Sequence, residues 1–125
     1  MSPLVAFGIA FAGGAGAGLR WLIDVSLWRW RRNGFPWAIL LVNAVGCLVL
    51  AFLTAVVGAG ASPAWFAVIG AGLLGGFTTY STVSVDTAQL WRQRRHQLAI
   101  ANVAGTLVVC ITASAAGTLL GLAVA

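Results

Sequence analysis

Lysine and glutamate are absent from this chain of 125 residues, and its only acidic side chains are Asp24 and Asp86. Charged residues make up 7% against 61% hydrophobic, with a mean hydropathy of +1.00, a balance that excludes an ordinary soluble domain. No Asp, Glu or Lys lies at the middle of an apolar run, so an enzyme's acid–base pair and a transporter's coupling carboxylate are both missing there. Seven arginines leave a net charge of +5, yet apart from Arg20 they form two short clusters between apolar runs. That placement points to membrane orientation and away from a nucleic-acid partner. The two cysteines, Cys47 and Cys110, sit inside apolar runs with no disulfide or metal-ligand spacing, which reads as packing. The single histidine, His96, falls in a basic loop and reads as solvated, with no role assigned. The first residues, MSPLVAFGIAFAGG, lack the basic region of a cleaved leader, and the apolar run continues to Ile23, as in a retained first span.

What the chain does have is apolar length. Residues 3–23, 35–57, 63–90 and 98–124 each approach or exceed the roughly 20 residues that a bilayer requires, predicting an all-α membrane protein of four helices in one domain. Pro36 and Pro63 stand near the starts of helices two and three, where a missing N–H costs least. The third stretch is long enough to tilt or to lose part of its rise to an unwound centre. Its centre reads GGFTTYSTVS, residues 75–84, with two glycines and six hydroxyl side chains in ten positions. Polar, non-helical chain at that depth is tolerated only where it lines a cavity or is buried in protein. Gly75 and Gly76 are the expected point of the break.

Arg29, Arg31 and Arg32 lie between the first two spans, and Arg92, Arg94 and Arg95 between the last two. The opposite side, comprising both termini and the turn at residues 58–62, has no basic residue. The positive-inside rule then predicts a multi-pass protein of the cell membrane with both termini outside and the arginine loops cytoplasmic. Three glycine pairs spaced by four, Gly14 with Gly18, Gly72 with Gly76 and Gly117 with Gly121, favour a compact bundle or an oligomer.

The remaining intramembrane polar groups are amides and hydroxyls, which suit an ion whose hydration shell must be replaced. Asn43 requires a partner, either a hydroxyl of helix three or an ion. Asn102 and Thr106 share a face of helix four, with Cys110 one turn further on; hydroxyls bonding back to their own helix are the plainer reading of that stripe. Arg20 lies four residues before Asp24, so a local ion pair or a snorkelling side chain is expected, with a fixed positive charge at a pore mouth as the functional alternative. Asp86 is expected to pair with a nearby arginine.

AGGAGAGLRW in helix one, NAVG in helix two, GGFTTYSTVS in helix three and four spans in this length together resemble the Fluc/CrcB fluoride channels across essentially the whole chain. The resemblance implies an antiparallel, dual-topology dimer with two narrow fluoride pathways and a structural, non-transported sodium ion on the two-fold axis. It implies sodium ligation by the carbonyls of Gly75 and Thr78, an anion pathway through Asn43, Thr79, Tyr80, Ser81, Val83 and Thr106, and a vestibule charge at Arg20. The implied function is passive fluoride exit from the cytoplasm, and the protein is not an enzyme.

Two departures stand out. Where the family places two phenylalanines in the helix-three motif, this chain has Tyr80, which keeps a ring edge, and Val83, which has none. Asn102 aligns with a tyrosine of many relatives, and Thr106 with the serine of their polar track. The six-to-zero arginine bias also opposes insertion in both orientations, so the expected assembly is a heterodimer with an oppositely oriented paralogue rather than a homodimer. Two alternatives remain: a non-conducting structural partner subunit, and a small multidrug-type transporter, which lacks here the glutamate it needs in helix one.

Overall fold

A computed structural model describes residues 1–31, 34–58 and 63–125; Arg32 and most of the turn read at residues 58–62 lie outside the described residues. Helix α1 spans Pro3–Ser26, starting on Ser2, whose hydroxyl accepts from the Val5 N–H at 3.3 Å, with Pro3 in the first turn. A short 3₁₀ turn at Trp28–Trp30 leads towards α2, Trp37–Val57. The third span opens with α3, Ala64–Ala67, widens into π-type turns over Val68–Leu74, and tightens again into α4, Gly75–Phe77. It resumes after a break as α5, Tyr80–Arg92, and α6, His96–Val124, completes the chain. Among the described residues four segments are long and apolar enough to cross a membrane: Pro3–Ser26, Trp37–Val57, Ala64–Arg92 and His96–Val124. The four-helix expectation is met, with each boundary within a few residues of the sequence reading.

The break is displaced from its expected position. Gly75 is helical, with φ −62° and ψ −39°. The extended residues are Thr78, with ψ 155°, and Thr79, with φ −153° and ψ 124°. The glycines are required for a different reason, which is close approach. A Cβ on Gly76 would collide with the Gly13 carbonyl, and one on Gly72 would come within 2.9 Å of the Ile9 carbonyl, so α1 lies directly on the backbone of the third span. Gly16 answers from α1, pressed on the Leu73 carbonyl. Gly117 and Gly121 do the same for α6 against Leu48 and Phe52 of α2. Gly14 and Gly18, the remaining pair, have nothing within 4 Å where a Cβ would stand.

The small core centres on Ile39 and Val42 of α2, Val83 of α5 and Ala99 of α6, while large apolar residues such as Phe7, Phe11, Leu119 and Leu122 are exposed as lipid-facing side chains should be. At one end of the bundle both acidic residues converge on Arg31, at 3.7 Å from Asp24 and 3.9 Å from Asp86. A Cβ on Gly34, which has φ +81°, would meet the Arg95 guanidinium, so the two arginine-bearing connections meet at that same end.

Candidate functional site

Thr78 and Thr79 interrupt the helix, and the groups that take up the released backbone bonds define the site. The Thr79 N–H donates to Asn43 Oδ1 at 2.7 Å, and Asn43 Nδ2 donates to the Thr79 carbonyl at 2.9 Å. One buried amide thus serves both polar groups of one residue, as a neighbouring β-strand would. Asn43 is only 5% exposed, and pairing it removes a desolvation cost of about 1–3 kcal/mol. Its protein partner is the Thr79 backbone rather than a hydroxyl of the third span. Gly46, one turn along α2, leaves the space that the Thr78 methyl occupies.

The Thr79 hydroxyl starts α5: it accepts from the Thr82 N–H at 3.1 Å and lies 3.2 Å from Thr82 Oγ1, to which it donates. The Thr78 hydroxyl donates back to the Leu74 carbonyl at 3.0 Å. Arg20 reaches the break from α1, its Nη1 donating to the Thr78 carbonyl at 3.3 Å. The expected local pair between Arg20 and Asp24 gives way to this longer contact, because Asp24 turns to Arg31. A guanidinium beside the carbonyl end of α4 complements the partial negative charge of a helix C-terminus.

Beside the break lies a cavity of about 440 Å³. Asn43, Thr78, Thr79, Tyr80, Val83 and Thr106 wall it, together with Cys47, Val103, Leu107 and Cys110. Five of the six residues assigned to the anion pathway, Asn43, Thr79, Tyr80, Val83 and Thr106, therefore come together; Ser81 is exposed and is not part of the wall. Thr106 Oγ1 is buried and makes no hydrogen bond within the described residues. A buried hydroxyl left unpaired on a cavity wall is a donor held ready for an occupant. Tyr80 is 78% exposed and stands at the cavity's open side, whereas Val83, at 2%, closes its inner side. A larger groove of about 800 Å³ runs past Arg29, Trp37, Leu41 and Val109, away from the break in the third span.

Asn102 does not face the cavity. Its Nδ2 donates to the Val83 carbonyl at 3.3 Å and to Thr87 Oγ1 at 2.9 Å, tying α6 to α5. The helix-four stripe thus divides: Asn102 is a strut, Thr106 a free donor and Cys110 part of the wall. Sequence reasoning missed the cavity position of Cys47 and Cys110, for which the only signal was Cys110's place one turn beyond Thr106.

The carbonyls of Gly75 and Thr78 bear on the implied sodium ion. Since the Thr79 N–H is committed to Asn43, the Gly75 carbonyl loses the donor that would continue the helix, and Gly75 is exposed. Carbonyl oxygens suit a hard cation, so the donor chemistry fits. The Thr78 carbonyl already accepts from Arg20 and has one lone pair left.

Residues 7–118 match the family model described as CrcB-like protein, Camphor Resistance (CrcB). A protein of Leifsonia xyli subsp. xyli named fluoride-specific ion channel FluC 1 is 38% identical over 122 residues, covering 97% of this chain and 89% of its own. One of the same name from Rubrobacter xylanophilus is 43% identical over 115 residues, 88% of this chain and 87% of its own. Fluoride-specific ion channel FluC 2 of Streptomyces avermitilis is 37% identical over 112 residues, 85% of this chain and 67% of its own. With this extent of agreement and a four-span helical architecture, the chain belongs to the CrcB family of membrane ion channels.

Proposed function

We propose that this protein is a subunit of a fluoride channel that lets the anion leave the cytoplasm passively. The observation that carries the reading is the unpaired, buried Thr106 hydroxyl on the wall of the cavity where the third span breaks. Fluoride is small and strongly hydrated, so it enters a narrow path only where donors replace its water at each step. This chain offers three at the cavity: the Thr106 hydroxyl, the Tyr80 hydroxyl, and the second N–H of the Asn43 amide, whose first is held by Thr79. The Thr79 hydroxyl proton is already given to Thr82, so Thr79 shapes the path without donating to it. Arg20, fixed at the break, raises the local anion concentration.

Gly75 and Thr78 carbonyls would hold a sodium ion between subunits, and such an ion supplies positive charge where two helix ends meet. Ser81 lies apart from the cavity within one chain and would join the pathway only through a second subunit. Orientation with both termini outside and the arginine connections cytoplasmic follows from the charge bias. The same bias supports pairing with an oppositely oriented paralogue, and relatives numbered FluC 1 and FluC 2 fit that arrangement.

A second reading, a non-conducting partner subunit, is favoured by Val83, which presents neither donor nor ring to the cavity. Fluoride efflux from liposomes separates the two. The chain is reconstituted alone and with its paralogue, in sodium and in a sodium-free medium. Sodium-dependent fluoride efflux that excludes chloride is the expected result for the pair. Robust efflux by the single chain would remove the need for a partner. Thr106→Val in the pair should lower flux at least about tenfold, the cost of losing one hydrogen bond of ~1.4 kcal/mol at the barrier, and leave folding unchanged. Undiminished flux in that variant would dismiss the Thr106 pathway.

A further inference from the structure

Cys47 and Cys110 are far apart in the sequence, yet the fold brings them together. Cys47 on α2 and Cys110 on α6 are both half-buried and both free. Both stand on the wall of the cavity beside the break, one contributed by each helix. Cys110 lies one helical turn beyond Thr106 on the same face, so anything held between the two sulfurs sits next to the unpaired hydroxyl. No part of the Asn43–Thr79 bridge or the Arg20 contact uses either sulfur.

We propose that Cys47 and Cys110 form a two-thiolate site for a soft d¹⁰ cation of linear coordination, and that filling it obstructs the cavity. Thiolate sulfur selects soft metals over the hard ions that carbonyls hold. For a divalent ion such as Hg²⁺ the step balances without an oxidant: two S–H bonds break, two S–metal bonds form, two protons leave, and neither sulfur nor metal changes oxidation state. The product is uncharged, which matters in a membrane, where an isolated charge is costly. With both sulfurs on one cavity wall the second bond is intramolecular, raising retention by about 10²- to 10⁴-fold over a single thiol.

The block of conduction rests on the fluoride-channel reading, whereas binding does not, so the two are measured separately. Purified full-length protein is treated with Hg²⁺ and its intact mass and maleimide-reactive thiols are measured. The expected product is one mercury per chain, with two protons lost and both thiols masked. Against a competing monothiol it should persist at least about a hundredfold longer than in Cys47→Ala or Cys110→Ala. Cys47→Ser and Cys110→Ser repeat the comparison should an alanine variant fold poorly. Two mercury ions per chain, equal retention in the single-cysteine variants, or a mercury link between chains would each overturn the site. In vesicles reconstituted with the partner subunit, Hg²⁺ should abolish fluoride efflux when this chain is unmodified and cause no further loss when both of its cysteines are substituted. A bridged protein that still conducts fully would overturn the obstruction. If untreated protein with its partner conducts nothing, the channel reading fails while the adduct result stands.

Discussion

The third span holds itself in place by two different means on either side of Thr78. Before the break, the wide turns at Val68–Leu74 and the glycines at 72 and 76 are fixed by shape, because α1 rests directly on their backbone. After it, α5 is fixed by hydrogen bonds, through the Thr79 cap and through Asn102 reaching from α6. Asn43 clamps the joint between them. Without a hydrophobic force between helices in lipid, close packing and polar contacts are the two available means of association, and this span uses one in each half. The shape-held half tolerates no added atoms, while the bonded half tolerates changes of size but not loss of an amide.

That contrast can be broken most forcefully at Gly76. Gly76→Val places a side chain against the Gly13 carbonyl and should destabilise the bundle by about 1–3 kcal/mol or more, read as loss of folded protein in detergent. If Gly76→Val unfolds no earlier than wild type, the shape-held description of this half is wrong. Next comes the joint. Asn43→Leu strands both backbone groups of Thr79 and should cost about 2 kcal/mol while greatly reducing fluoride efflux. Asn102→Leu removes the strut and should cost roughly 1 kcal/mol, with accelerated amide exchange confined to α5 and α6. Protection lost equally throughout the chain would mean that the halves are not held independently. The smallest effect belongs to Ser84→Ala. Its exposed hydroxyl only bonds back to the Tyr80 carbonyl at 3.0 Å, and thermal unfolding should move by less than about 0.5 kcal/mol equivalent.

The spans themselves were legible in the sequence because hydropathy is a local property, and four apolar runs translate directly into four helices. That the third span must break was legible too, since six hydroxyls in ten residues have few other uses at that depth. Where it breaks was not. Glycine frequency points to Gly75 and Gly76, but the chain opens where a partner captures the released N–H, and Asn43 meets Thr79 only in the folded bundle. Arg20 misled for the same reason: Asp24 is near in sequence, while the Thr78 carbonyl is near in space. Asn102 and Thr106 share a helix face, yet one is a bonded strut and the other an unpaired wall group, a division that depends on what α5 presents to each.

The π-type turns at Val68–Leu74 carry a consequence for tolerance of insertions and deletions. Each residue of a helix rotates the remainder of that helix by about 100°, so a segment with wider turns works as a phase adjuster between its two ends. Adding or removing one residue there would leave the span's hydropathy unchanged and yet rotate Gly76 and Thr79 away from Gly13 and Asn43 together. A length change in this stretch, invisible to any measure of composition, should therefore be as damaging as a substitution at the break itself.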